Sequence, residues 1–379
     1  MRLGFVIATT GTGGMERYVL RLLAVLPRDI EPVLFVRSGM AGSLHRLFAE
    51  SGAELHYTPL GYANPLRFLA TWRLFRRSRL NAIVDLTGVL AGPTLMLARL
   101  AGIPRRAVFH RRSSFAFRPT PSRLAFARFS LHLVERSANA VLANSRAALQ
   151  AFHPRLKDDP RCAVIANIIN PAELQPSSPK VDLRRAASLP EDCIVALHVG
   201  RVDPAKDHAT LLRALLLAMA QMPKLHAMLV GPGTADLHRE LVELGGAGLE
   251  DRFRFLGDRA DIADLYAASD LFVFPSVTEG QPNALLEAMI CGLPVVASDI
   301  PSIREVVPER GWALLVPPRD PARLAQAILA SAGSGVAAAE RTYRDEAQRL
   351  TDAASVVPAL LDSILHPGTG SRFPKGSTQ

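Results

Sequence analysis

The residues with the clearest chemical capacity lie in two stretches of the second half of the chain. Glu279-Gly280-Gln281-Pro282-Asn283-Ala284-Leu285-Leu286-Glu287 follows an apolar run at 271–274 that ends in Pro275-Ser276. Pro282 suits the first turn of a helix, where its missing N–H costs nothing. The free N–H groups of Asn283, Ala284 and Leu285 would then make an anion site at that helix start. Glu287 lies about a turn and a half further on, so Glu279 and Glu287 can flank one ligand. A phosphate at the helix start would sit between a sugar held by Glu279 and a ribose held by Glu287. The competing reading is that one acid of the pair only complements the helix dipole.

Upstream, His198-Val199-Gly200-Arg201-Val202-Asp203-Pro204-Ala205-Lys206-Asp207 places Arg201 and Lys206 just beyond another apolar run, 194–199. A guanidinium directs its hydrogen bonds and an ammonium concentrates its charge, so together they suit a diphosphate. Two solvated turn cations are the alternative. Gly231-Pro232-Gly233 lets backbone come close to a ligand, or is an ordinary turn. Leu256-Gly257-Asp258-Arg259 offers groups to a planar base, with Arg259 in the candidate ligand set; a plain loop is the other reading. In the first half, Gly11-Thr12-Gly13-Gly14-Met15-Glu16 follows the first apolar run and opens a helical segment, an arrangement that attracts anions. Its glycines do not have the GxGxxG spacing, and Arg37 stands where a dinucleotide site needs an acid, which disfavours nicotinamide and flavin. His110 ends the run 106–109 and is expected to face ligand from the strand's carboxyl end.

The elements that must position these residues read as two series of βαβ units. Strands are expected at 3–8, 31–36, 54–57, 82–86, 106–109, 140–143 and 162–165, then at 194–199, 226–230, 253–256, 271–274, 294–297 and 313–315. The runs lack alternation, as in parallel sheets covered on both faces. The fold class is therefore α/β, with two Rossmann-like doubly wound domains facing across a cleft. The Pro- and Ser-rich 171–190 reads as the linker, giving domains at 1–175 and 176–365. A closing helix at 341–365, interrupted at Pro358, is expected to return to the first domain. A flexible tail follows at 366–379.

At 379 residues the chain is too long for one ordinary core, and its 49% hydrophobic and 21% charged composition excludes a disordered chain. No apolar run reaches the ~20 residues that span a bilayer, and 3–8 reads as a strand rather than a leader. Cys162, Cys193 and Cys291 have neither CxxC nor metal-ligand spacing, which points to a reducing cytoplasm and no structural zinc. Charge is divided unevenly. Residues 1–175 hold 24 Lys and Arg against 10 Asp and Glu, whereas the remainder holds 20 against 25. Between Glu54 and Glu135 the sole acid is Asp85, among 13 arginines. Residues 64–79 and 113–134 interleave Leu66, Leu69, Trp72, Phe126 and Phe129 with arginines such as Arg67, Arg73, Arg118, Arg123 and Arg128. Such stretches can lie on an anionic membrane, or be core aromatics beside solvated arginines.

Taken together, the motifs resemble the group 1 glycosyl transferases (glycosyltransferase family four). Phe255-Leu256-Gly257, Ala268-Ser269-Asp270, Phe274-Pro275-Ser276, Glu279-Gly280, Leu286-Glu287-Ala288-Met289 and Cys291-Gly292-Leu293-Pro294-Val295-Val296-Ala297-Ser298 match in order and spacing. Gly200-Arg201, Lys206 and Gly13-Gly14-Met15-Glu16 match as well. The resemblance implies a GT-B fold and retaining transfer from a nucleotide-diphospho-sugar, with no tightly bound cofactor and no metal. Arg201 and Lys206 would stabilise the diphosphate, Glu287 the ribose, and Glu279 would lie by the sugar ring. Gly280, Asn283 and Ala284 would complete the phosphate cradle, and Gly13 and Gly14 would approach from the first domain. His110 would contact the sugar or shape the acceptor site, although Arg111-Arg112 follows it where relatives carry an acid or Gly. The acceptor would be a glycan or lipid-linked molecule of polysaccharide or lipopolysaccharide synthesis, met in the cytoplasm at the inner membrane face. A sugar-nucleotide epimerase of the same architecture is the enzymatic alternative. An Arg-rich membrane- or nucleic-acid-binding protein is the other; no nucleic-acid motif is present, and none is expected as a partner.

Overall fold

The computed structural model describes residues 1–368 except 12, 60–63, 116, 118, 157 and 334–336; of 337–342 it describes the backbone alone. The expected tail from 369 onwards, Thr12 of the glycine loop and Arg118 of the basic stretch lie outside the described residues.

Seven short apolar segments form the first sheet: β1 (Arg2–Ile7), β2 (Glu31–Val36), β3 (Glu54–Tyr57), β4 (Ala82–Asp85), β5 (Arg105–His110), β6 (Ala140–Ala143) and β7 (Cys162–Val164). Six form the second: β8 (Ile194–Val199), β9 (Leu225–Val230), β10 (Phe253–Gly257), β11 (Leu271–Phe274), β12 (Val295–Ser298) and β13 (Leu315–Val316). Their orders are β3-β2-β1-β4-β5-β6-β7 and β10-β9-β8-β11-β12-β13, with parallel pairing throughout. The central strands are apolar on both faces because helices cover both; Leu3, Phe5, Val6 and Ile7 of β1 are all buried. Both sheets are doubly wound α/β layers. In each, strand order reverses once beside the first strand, between β1 and β4 and between β8 and β11. Ligands of such sheets bind at the carboxyl ends of the strands flanking that reversal.

The chain divides into one unit of Met1–Ile168 with the segment from Thr351, and a second of Ile169–Leu350. The expected linker at 171–190 is instead part of the second unit. Ile169, Leu174 and Leu189 are buried in its core, and Lys180–Ala186 forms a helix. Arg184 on that helix donates to the carbonyls of Ala268 and Cys193 and pairs with Asp270, which is why a Pro- and Ser-rich segment is held. The closing helix breaks at Asp352, not at Pro358. Asp352 caps Ala353–Leu365 by accepting from the Ala354 amide at 3.1 Å, and Pro358 is tolerated inside that helix. Val356, Val357, Leu360 and Ile364 bury in the first unit's core, and Arg105 Nε donates to the Leu365 carbonyl at 2.9 Å.

Candidate functional site

The two richest sequence stretches flank the reversal of the second sheet, since β8 leads into 200–207 and β11 into 275–282. Their loops are stitched by local turns. Asp203 Oδ1 accepts from the Ala205 amide at 2.9 Å, and its carbonyl accepts from the Lys206 amide at 2.9 Å. The Ala205 carbonyl then accepts from Val277 N at 2.8 Å, tying the first loop to the second. Asp207 adopts φ +51° and caps the helix His208–Gln221, its Oδ1 accepting from Thr210 N at 3.3 Å.

This folding brings Lys206 and Glu279 together. Lys206 Nζ donates to Glu279 Oε1 at 2.6 Å and lies 4.4 Å from the centre of the Phe274 ring. The two side chains remain 21% and 14% exposed, so a second ligand can reach the ammonium. Arg201 is exposed and makes no hydrogen bond or ion pair among the described residues. Gly231 explains how the Arg201 turn is seated. At φ +132°, a Cβ there would come 2.4 Å from the Gly200 carbonyl oxygen and 3.1 Å from the Arg201 amide. The glycine thus admits the neighbouring loop.

The helix Asn283–Ile290 begins one residue later than expected. Pro282 is its N-cap with extended backbone (φ −81°, ψ 93°), so the first helical amide belongs to Asn283. Gly280 is buried in the preceding loop, and Asn283 and Ala284 are half-buried. Tyr266 Oη donates to the Ala284 carbonyl at 3.1 Å and lies 3.3 Å from Glu287 Oε2, orienting the acid one helical turn into the site. No sequence signal marked Tyr266; its role exists only through the packing of Ile262–Ala268 against this helix. Arg259 turns away to Asp261, donating at 2.8 and 2.6 Å, and that pair lowers the Asp261 carboxyl below its usual range.

A buried pair of histidines supports the Lys206 loop. His198 Nδ1 donates to the Val273 carbonyl at 2.9 Å, so its Nε2 carries the lone pair and has no hydrogen-bond partner among the described residues. The His208 ring stands edge-on 4.9 Å away. Burial pushes His198 well below 6.5, with the neighbouring His208 adding to the shift. Burial, and then Lys206, lower His208 to about 4. Both rings are therefore neutral at pH 7. His198 stood in the quoted motif, but its type alone gave no reason to expect a neutral prop.

The first unit's edge differs. His110 does not open towards ligand: it is 1% exposed, stacked on Phe152, with Nε2 3.0 Å from His153 Nε2. His153 Nδ1 lies 3.3 Å from Glu135 Oε1 and must be the donor, which leaves its Nε2 to accept from His110. The strand end is sealed because Arg146–Phe152 and the chain after it close over β5 and β6. Burial first, then His153, lowers His110 well below 6.5. Gly14 opens the helix Gly14–Val25 with nothing within 4 Å of a would-be Cβ, whereas one on Gly13 would strike Glu16 Oε2 at 2.3 Å. Arg111 stacks 3.6 Å over the Tyr18 ring, and burial lowers its guanidinium to about 10. Among the described residues, no group of three His, Cys, Asp or Glu side chains is arranged to hold a metal ion.

Two doubly wound units, with cations and a helix start at the reversal of the second sheet, define the GT-B class of sugar-transfer proteins. Comparison narrows this. The model of "Glycosyl transferases group 1" matches residues 193–332, and that of "Glycosyltransferase Family 4" matches 12–173. The putative glycosyltransferase EpsF of Bacillus subtilis is 30% identical over 266 residues, covering 68% of this chain and 67% of that protein. The chain belongs to the group 1, family 4 glycosyltransferases. The D-inositol 3-phosphate glycosyltransferase of Thermobispora bispora is 34% identical over 172 residues. That alignment spans 43% of this chain and 39% of the relative, so the match covers less than half of its length. Among solved structures, Anabaena Alr3699/HepE in complex with UDP-glucose superposes with TM-score 0.80 at 25% identity, covering 96% of this chain and 99% of that one.

Proposed function

We propose that the second unit binds a nucleotide-diphospho-sugar and that the protein transfers the sugar, with retention, to a glycan or lipid-linked acceptor held by the first unit. The observation that carries this reading is the partly exposed Lys206–Glu279 pair, set where two loops meet at the β8/β11 reversal and followed directly by the helix start at Asn283. Breaking the bond from the sugar's anomeric carbon to the diphosphate puts negative charge on the diphosphate. Arg201, Lys206 and the helix-start amides of Asn283 and Ala284 are the groups that would receive it. The acceptor hydroxyl attacks from the face the diphosphate leaves, and its proton passes to a departing phosphate oxygen. The products are a glycoside of unchanged anomeric configuration and a nucleoside diphosphate.

Glu279 holds Lys206 in place and borders the sugar, while Glu287, oriented by Tyr266, takes the ribose hydroxyls. Gly280 and Gly231 give the backbone room beside the phosphates, and Gly13 and Gly14 form the corresponding open turn of the first unit. Arg259 is committed to Asp261 and is left out of the donor contacts; His110, sealed at the first unit's edge, is left out of the reaction as well. Two cations, Lys206 held by Glu279 and the exposed Arg201, can supply the charge neutralisation that other transferases draw from a divalent ion, so the reaction is read as metal-independent. The similar HepE structure holds UDP-glucose, which makes a uridine-diphosphate sugar the donor to try first. Three unpaired cysteines fit action in a reducing cytoplasm, at the inner membrane face, in cell-surface polysaccharide or lipopolysaccharide synthesis.

Thermal unfolding with UDP-, GDP-, ADP- and dTDP-hexoses tests the donor: one of them at 100 times its Kd should add about 2.7 kcal/mol. NMR of the product should show a new glycosidic bond with the donor's anomeric configuration, also after chelator treatment. An isomerised donor with no bond formed would replace transfer by epimerisation.

A further inference from the structure

One cation at the carboxyl end of the first sheet is fixed in place without an anion. Arg111 follows His110, the last residue of β5, and β5 pairs with β4, one of the two strands at the reversal of that sheet. Its guanidinium lies 3.6 Å over the centre of the Tyr18 ring and 5.5 Å from that of Phe109. These two rings are buried and meet edge to face at 5.8 Å, with Tyr18 carried by the helix Gly14–Val25. Stacking of this kind orients a planar guanidinium, where an ammonium would keep its freedom to turn.

What is missing is a partner. Nη1 of Arg111 is buried and has no hydrogen bond among the described residues, while the side chain as a whole keeps part of its surface in solvent. None of the ion pairs among the described residues includes it. Burial lowers its pKa to about 10, which still leaves it charged at pH 7, and Glu16 and Arg21 of the neighbouring helix act on it in opposite senses. From residue 55 to 134 the sole acid is Asp85, and its Oδ1 is spent on Thr87. A cation drawn partly out of water and held by ring faces carries a desolvation cost that an anion arriving from outside would offset.

Ligands of a doubly wound sheet meet it at the carboxyl ends of the strands beside the reversal, which is where Arg111 stands. A guanidinium presents paired N–H groups, so it matches a phosphate or a carboxylate better than it matches a hydroxyl. We propose that Arg111 reads an oxyanion on the acceptor, so that the first unit selects a sugar bearing a phosphate or a carboxylate over a neutral one. This rests on the transfer reading given above, in which the first unit holds the acceptor. Arg111 is separate from Arg201 and Lys206, which belong to the second unit and serve the donor's diphosphate in that reading.

Two measurements on the full chain test it. In the first, glucose 6-phosphate, glucuronate, methyl glucoside and inorganic phosphate are each titrated against thermal unfolding of the native protein, Arg111→Gln and Lys206→Ala. The two anionic sugars are expected to raise the unfolding midpoint of the native protein and of Lys206→Ala, and methyl glucoside to raise none. Arg111→Gln should weaken the anionic sugars about tenfold or more, the loss of a charge-assisted hydrogen-bonded pair. Arg111→Lys keeps the charge without the fork and should fall in between, and it serves if Arg111→Gln does not fold. In the second, release of nucleoside diphosphate from UDP-glucose is followed with each sugar; Arg111→Gln should raise KM for the anionic sugars about tenfold while kcat moves less than about twofold. Release that no sugar stimulates, with the binding pattern as expected, fails the transfer reading and leaves the oxyanion site standing. The proposal is overturned if neither anionic sugar binds, if neutral and anionic sugars stabilise equally, if anionic binding survives both Arg111 changes, or if inorganic phosphate binds as tightly as glucose 6-phosphate.

Discussion

At the reversal of the second sheet the charged groups remain within reach of solvent. Lys206 and Glu279 pair at 2.6 Å yet keep part of their surfaces, and Arg201 stands exposed. At the corresponding edge of the first sheet the polar groups are spent on one another. Glu135, His153 and His110 form a chain that runs inward from a half-buried carboxylate, and Asp85 Oδ1 accepts from the amide and hydroxyl of Thr87 at 2.7 and 2.6 Å. Burial raises the Asp85 carboxyl above its usual range, against the pull of Arg37. The same layer architecture thus yields one edge whose charged groups stay within reach of solvent and one whose polar groups are largely buried against one another. The difference comes from loop chemistry: Asp203, Asp207 and Gly231 hold the second unit's loops open, whereas 146–152 closes over β5 and β6 in the first.

Three experiments press on this contrast. The largest effect is expected from Lys206→Ala, which should lower transfer about 100- to 1,000-fold with folding intact, the range for removing one preorganised charge-stabilising group. Glu279→Gln should lower it less, because the ammonium stays but loses its anchor. Steady-state kinetics of both variants near the native rate would erase the distinction between the edges.

Next is acid sensitivity. His208 has its pKa depressed from 6.5 to about 4, so the unfolded chain takes up the proton first as pH falls. Its contribution is complete above pH 6.5 and is lost on the way down to about pH 4, by up to about 3 kcal/mol. His110, His153 and His198 are depressed in the same direction and add to the loss. Urea unfolding at pH 7 and pH 4.5 should show the decline, and His208→Gln should flatten part of it.

The smallest effect is expected from His110→Ala. It should cost about 2 kcal/mol of stability, because the His153 acceptor is left without its donor in a buried place. Transfer by the folded variant should change little. A folded His110→Ala protein without activity would move that residue into the reaction and break the comparison.

Much of the fold was legible because parallel strands covered on both faces must be short unbroken apolar runs, and these recur along the chain. The boundaries that went astray share a cause. Residues 171–190 look like a linker by composition, but Arg184 finds two carbonyls and Asp270 only once the second unit has folded. Pro358 looks like a helix break, yet Asp352 supplies the cap that stops the preceding helix. In the site, Arg201, Lys206, Glu279 and Glu287 were marked by charge and spacing. Tyr266, which bonds to Glu287, carries no comparable mark.

By itself the sequence determined two parallel α/β layers, the loops that carry cations and acids, and a first half depleted of negative charge, since periodicity and composition are local properties of the chain. Which groups meet was decided by tertiary structure. The Lys206–Glu279 bond joins residues 73 positions apart, and the His110–His153 bond joins residues 43 apart. Whether a charged side chain ends half-exposed beside a helix start or sealed against a neighbour depends on which loops pack over it, and that is a property of the folded molecule alone.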